Sequence, residues 1–396
     1  MTRVRPKGQN APPDVPAPPE EQSAGAQEDA LGFQEPSTEE IESHQLFGRR
    51  RLITYGVIVA VILVALYLVV PKLTGLEDSL RKIEDADPVW IVIALGINLF
   101  SFVAYIALFR GILGGRAESA QLSERLDWRT SYQITLAGLA ATRLFSAGGA
   151  GGIALTYWAL RRAGMGTRQT AARMVAFLVM LYTVYLAALV VCGIFLRIGL
   201  FPGSSPVGMT IVPAAIAGAA LLVLFLVSLI PTDLERIVAR WAQGHRRVGL
   251  ARRIASVPAT IATGTRTALS ILRHPSSGLL AIVGAAGFWA ANIGVLWACF
   301  HAFGESVPKA VLVQGFFVGM TANLLPFFPG GVGSVDAGMI AAFLAFGEPS
   351  STVFVSVLAY RVIAFWLPIP PGILAYVQLR RTVARWRDED MQVAEH

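Results

Sequence analysis

Charge is scarce in this sequence. Of 396 residues only 15% are Asp, Glu, Lys or Arg, where a soluble domain carries about 25%. Cysteine is rarer still. Cys192 and Cys299 both lie inside apolar runs and read as small packing residues, not as a disulfide or a metal pair. The histidines, His44, His245, His274, His301 and His396, are scattered and form no ligand spacing. No zincin helix, Walker loop, G-x-S-x-G elbow or dinucleotide fingerprint is present. The sequence therefore implies no metal, no nucleotide and no other cofactor.

What fills the chain instead is apolar: 54% of residues are hydrophobic. They are gathered into runs that reach or approach the roughly 20 residues a helix needs to cross the hydrocarbon of a bilayer. The net charge is +7, supplied almost wholly by arginine. These arginines sit just outside the apolar runs, as the positive-inside rule predicts for a membrane protein, so the basic balance does not point to nucleic acid.

Residues 1–48 are rich in Pro, Ala, Gln and Glu and lack the apolar content to bury a core, which predicts a disordered tail and not a signal peptide. Arg49, Arg50 and Arg51 then precede a first span at 52–70 and should hold that end in the cytoplasm. Further spans are predicted at 89–109, 174–196, 209–230, 278–303 and 352–377. The long connection 231–277, with Arg236, Arg240, Arg246, Arg247, Arg252 and Arg253, reads as cytoplasmic and as one or two interfacial amphipathic helices. Residues 381–396 read as a short charged cytoplasmic tail after a transmembrane domain of 49–380. Its halves are 89–230 and 278–380.

Two apolar stretches do not fit this scheme. Residues 130–160 are broken at Gly148, Gly149, Gly151 and Gly152, and both flanks carry arginines. Residues 310–346 are broken at Pro326, Pro329, Gly330, Gly331 and Gly333, and neither flank carries an arginine. Two prolines and three glycines cannot continue a helix, and broken backbone at membrane depth must be buried in protein or line a wet cavity. Each stretch is too short on either side of its break to span. We read them as re-entrant helical hairpins, the first entered from the cytoplasm, the second from outside. Laying Gly148-Gly149-Ala150-Gly151 on Gly330-Gly331-Val332-Gly333 then gives an inverted-topology repeat. Small residues can also be close-packing surfaces between membrane helices, and the first cluster taken alone would be read so. The expected fold is all-α: about six full membrane helices with two hairpins between them.

Polar residues near the breaks are the candidate site. Arg143 precedes the first break, Asn323 the second, and Asp336 follows the second; Arg361, beside Tyr360, lies within the last span. Ionisable residues at depth are expensive and mark function by default. An arginine beside open helix ends suits an anionic headgroup such as a phosphate. Equally, Arg143 could reach an interface or neutralise Asp336, and an Asp336–Arg361 pair could be structural alone. Arg173, opening a full span, reads as an interfacial anchor.

The segment Pro326-Phe327-Phe328-Pro329-Gly330-Gly331-Val332-Gly333-Ser334-Val335-Asp336, followed by Leu358-Ala359-Tyr360-Arg361, resembles the second signature of the lysylphosphatidylglycerol synthase transmembrane-region family. The resemblance spans about residues 52–380. Asp336 stands where the family usually has Glu, and Gly152-Ile153-Ala154-Leu155 lacks the acid common after the first glycines. The resemblance implies a flippase-like role in moving a lipid or lipid-linked anionic substrate across the cytoplasmic membrane. The soluble lipid-synthesising half has no counterpart after residue 380, so a transporter is expected and not an enzyme. Substrate contacts fall to Arg143, Gly148, Gly149, Gly151, Asn323, Pro326, Pro329, Gly330, Gly331 and Gly333. Gating or coupling falls to Asp336, Tyr360 and Arg361. The alternatives are a membrane enzyme or accessory subunit acting on lipid-linked substrates, and a scaffold that binds a protein partner through residues 1–48 or 231–277.

Overall fold

A computed structural model describes residues 85–114, 120–144, 150–229, 261–273, 275–324 and 331–394. All of them belong to one compact unit, Ala60–His396. The predicted first span at 52–70, the tail 1–48 and residues 231–260 of the basic connection lie outside the described residues.

Among the described residues there are helices and no strands. In chain order they are α1 (Pro88–Phe109), continued by a π turn at Arg110–Gly114, α2 (Ala120–Arg125), α3 (Trp128–Leu144), α4 (Ala150–Arg162), α5 (Thr167–Arg197) and α6 (Ile211–Ser228). After them come α7 (261–272), α8 (Pro275–Ala302), α9 (Lys309–Met320), α10 (Ser334–Ala345), α11 (Ser350–Arg361), a second π turn at Val362–Trp366, and α12 (Ile369–Ala394). Local sequence sets the starts. Asp87 caps α1 by accepting the Val89 amide at 2.9 Å, with Pro88 in the first turn, where its missing N–H does no harm. Gly333, at φ +82°, turns the chain into α10, and Asp336 Oδ2 accepts the Gly333 amide at 2.7 Å.

Five of these segments are long and apolar enough to cross a membrane: Pro88–Leu113, Thr167–Arg197, Val207–Ser228, Gly278–Ala302 and Ser350–Gln392. Their outer faces are apolar too. Val92, Leu99, Phe100 and Val103 of α1 and Ile216, Leu222, Val223 and Phe225 of α6 are exposed. In water such a patch would be a liability; against lipid tails it is the expected surface.

Glycine sets the closest packing. α1 and α8 run antiparallel, with the Asp87 amide donating to the Ala302 carbonyl at 2.9 Å at one end of the pair. Along their seam a Cβ on Gly284 would sit 2.8 Å from the Ala104 carbonyl, and one on Gly294 would sit 3.2 Å from Ile97. Only glycine lets the backbones approach so closely, the usual means of helix association in lipid.

Contacts tie the helix ends into two opposite sets. At one end Arg110 donates to the Leu126 carbonyl, Arg173 to the Leu113 carbonyl and Arg266 to the Ser228 carbonyl, and Arg125 pairs with Asp390. At the other, Asp87 meets Ala302, Ser204 donates to the Phe346 carbonyl, and Gly203 lies against Val311. The α3–α4 hairpin has its base at the first, arginine-rich end. The α9–α10 hairpin has its base at the second.

Two expectations change, and a helix expected within 231–277 is found. Arg173 is no surface anchor: it is buried at 8% exposure and holds the α1 terminus through Leu113. The predicted tail 381–396 is, through Ala394, the last turns of α12, held by Arg125. That anchoring depends on a distant partner, so the local charge at 380–390 could not signal it. The predicted connection 231–277 is helical at 261–272, with Ala262, Thr265, Ala268 and Ile271 buried.

Candidate functional site

The site forms where the α3 end, the start of α10 and the α11–α12 junction meet. That junction is shaped by proline. Pro368 has no N–H to give the Ala364 carbonyl, and the Leu367 amide bonds Val362 at 2.9 Å across a π turn, so it bypasses the Ile363 carbonyl. Buried carbonyls must find donors. Buried Asn98 of α1 donates to Ile363 at 3.0 Å. Arg143 donates to Ala364 at 2.9 Å and to Phe365 at 3.0 Å.

Arg361 is the second cation. Its Nε lies 2.5 Å from Asp336 Oδ1, and neither atom has another hydrogen-bond partner in the structure. Its terminal nitrogen donates to the Gly331 carbonyl at 3.1 Å. The side chains are 7% and 15% exposed, so the pair is almost wholly withdrawn from solvent. Both guanidinium groups lie over the Phe365 ring, their carbons 4.3 Å (Arg361) and 5.3 Å (Arg143) from its centroid. Both are within cation–π range.

α11 is 12 residues long, so a rise of about 1.5 Å per step places Arg361 roughly 17 Å from its start. That is about the middle of a hydrocarbon core some 30 Å thick. Around this depth Tyr360 is buried and donates to Asn292 at 3.4 Å, and half-buried Tyr105 is within electrostatic reach of Arg143. Asn323 is exposed and packs against Gly331; a Cβ on that glycine would lie 2.6 Å from Asn323 Oδ1.

Of the residues predicted for the site, the structure gathers Arg143, Gly331, Asp336, Tyr360 and Arg361, with Asn323 beside them. Gly333 supplies the α10 cap. Gly151 lies half-buried in the first turn of α4. Gly148, Gly149, Pro326, Pro329 and Gly330 lie outside the described residues. Arg143 neutralises nothing: Asp336 belongs to Arg361, and no carboxylate among the described residues lies within ion-pair distance of Arg143.

Sequence reading missed Asn98, Asn292, Tyr105 and Phe365, neutral residues inside apolar runs that carry no signal until the helices are placed. It also missed a closer internal match. Gln133 and Gly138 of α3 stand 181 positions before Gln314 and Gly319 of α9. Both glutamines are buried and bonded across helices, Gln133 accepting from Thr382 at 3.0 Å and Gln314 donating to the Met209 carbonyl at 2.9 Å. In both hairpins the arms cross glycine on glycine. A Cβ on Gly152 would sit 2.5 Å from the Gly138 carbonyl, and one on Gly338 would sit 2.9 Å from the Gly319 carbonyl.

A lipid-facing, all-helical bundle with buried charges at mid-depth defines a multi-pass membrane protein. Its relatives narrow this. The lysylphosphatidylglycerol synthase transmembrane region matches residues 55–372. This chain belongs to that family. It is also 26% identical over 341 residues to a UPF0104 membrane protein of Methanothermobacter thermautotrophicus, a match covering 81% of this chain and 93% of the relative. A second match, to a UPF0104 membrane protein of the same organism, is 29% identical over 91 residues and covers 23% of this chain and 26% of that relative.

Proposed function

We propose that this protein carries a lipid or lipid-linked anionic substrate across the cytoplasmic membrane, as a transporter and not as an enzyme. The observation behind this reading is the charge at mid-depth: Arg361 is neutralised by Asp336, while Arg143, at the end of one hairpin arm, bonds only carbonyls of the α11–α12 junction. Of the five N–H donors on a guanidinium, two are spent on carbonyls, which leaves donors for a phosphate. On this reading the hairpins are re-entrant, the arginine-rich end is cytoplasmic together with both termini, and the headgroup passes Arg143 while the acyl chains stay in lipid. The Asp336–Arg361 pair, held between α10 and α11, acts as the gate.

Purified protein in vesicles with a fluorescent anionic lipid tests this. Labelled headgroup should become accessible to an impermeant quencher faster than in protein-free vesicles, and Arg143→Ala should remove the gain. Equal rates in all three preparations would refute it.

A further inference from the structure

The net charge of the site is countable. Arg143 contributes +1, and Arg361 with Asp336 contributes zero. Tyr105, Tyr360, Asn292 and Asn323 are neutral polar groups at physiological pH. The segments at the two breaks outside the described residues, 145–149 and 325–330, contain no ionisable side chain, and the run 52–70 contains no acid and no base other than tyrosine. Nothing these segments bring to the centre changes the sum.

Resting on the transport reading above, we propose that the substrate is a singly charged phosphodiester with no amine in its headgroup. A phosphodiester brings −1 and leaves the site neutral, the state that hydrocarbon tolerates best. A diphosphate leaves at least one negative charge unpaired at mid-depth. A zwitterion brings an ammonium against Arg143. An aminoacylated lipid, whose amines offset or outweigh its phosphate, is disfavoured by the same sum. Both cations lie over the Phe365 ring, but Asp336 is within ion-pair distance of Arg361 and not of Arg143, so the unmatched charge is that of Arg143. The chemistry admits two sources, a glycerophospholipid with a hydroxylated headgroup and a polyprenyl-phosphate sugar. Both are phosphodiesters.

Headgroup competition in proteoliposomes tests the proposal. The labelled probes are phosphatidylglycerol, a polyprenyl-phosphate hexose, phosphatidylcholine and a polyprenyl-diphosphate sugar. One or both phosphodiesters should cross about tenfold or more faster than the zwitterion and the diphosphate, the size expected of one unpaired charge in a partly dry site. Which phosphodiester crosses identifies the source. Arg143→Gln keeps donors for the Ala364 and Phe365 carbonyls but removes the charge, and should erase the preference; Arg143→Lys should retain it. The comparison among headgroups in the unaltered protein needs no variant, so a poorly folded Gln variant leaves it intact. A zwitterion or diphosphate crossing as fast as the phosphodiesters overturns the charge rule while the transport reading stands. A preference that survives Arg143→Gln overturns the role of Arg143 in it. No probe crossing above protein-free vesicles overturns the transport reading itself.

Discussion

Asp336→Asn removes the charge and, with the amide oxygen kept on the Gly333 N–H, turns an NH2 toward the Arg361 Nε–H where an acceptor stood. The asparagine oxygen can still accept the Gly333 amide, so the α10 cap survives and the loss reports the ion pair. What remains is Arg361, 7% exposed, with its Nε facing an uncharged partner. At an effective dielectric of about 20, opposite charges 4 Å apart attract by about 4 kcal/mol, and stranding one member of a buried pair costs about 3–5 kcal/mol in practice. Arg361 keeps its bond to Gly331 and its place over Phe365, which hold the loss toward the lower figure. Asp336→Asn should therefore lower stability by about 3 kcal/mol, and Arg361→Met by a similar amount because it leaves the carboxylate stranded. The double variant should be more stable than either single one, since neither member of the pair is left stranded. Thermal unfolding of all four proteins in one detergent, read by size exclusion after heating, gives the cycle. A loss below about 1 kcal/mol in Asp336→Asn, or a double variant at the sum of the singles, would refute the buried-pair argument.

Gly152→Ala and Gly338→Ala each place a methyl against a carbonyl of the opposite hairpin arm and should each destabilise by about 1–3 kcal/mol, while Gly96→Ala, with open space around it, should be neutral or slightly stabilising in the same heating assay. Ser123→Cys and Ser306→Cys, both exposed and near the bases of different hairpins, should label from opposite sides of a sealed vesicle when Cys192 and Cys299 are replaced; labelling from one side would break the opposed arrangement. In the loop between α10 and α11, burial and then the neighbouring Glu305 raise the Glu348 carboxyl above its ordinary value. The folded state thus holds a proton that the unfolded state has released, so stability falls as pH rises from the ordinary carboxylate range through the raised value. Glu348→Gln should flatten that slope in a pH series of melting temperatures; an unchanged slope would assign it to another group.

The spans were legible because lipid imposes a length and an apolar composition on them: 89–109, 174–196 and 278–303 all fall on helices that agree to within a turn or two. The helices α3 and α9 fall on the two apolar stretches that the sequence breaks at glycine and proline, at 148–152 and 326–333. The pairing of Asp336 with Arg361 followed from the scarcity of partners at depth. What the sequence hid depends on three-dimensional register. Nothing at Arg143 announces that its partners are the carbonyls of Ala364, freed by Pro368, and Phe365, some 220 residues away. Arg173 has the sequence context of an interfacial anchor and becomes buried only because α1 overruns into a π turn beside it. The Gln133–Gln314 and Gly138–Gly319 matches were overlooked because the glycine-rich tips drew the alignment one residue out of step.

The second π turn has a meaning for the chain as a ruler. A wide turn accommodates one residue more than an α-helical turn while the helix on either side keeps its phase. Gly372 can therefore stay seated on Leu136 and Ala140 whether or not that residue is there. Its presence leaves over the Ile363 carbonyl, which Asn98 takes, next to the Ala364 and Phe365 carbonyls that seat Arg143. A local surplus of one residue thus ties α1, through Asn98, to the same junction that seats the charge of Arg143. Shortening that turn by one residue would leave the scaffold standing and take from Asn98 the acceptor that joins α1 to the site.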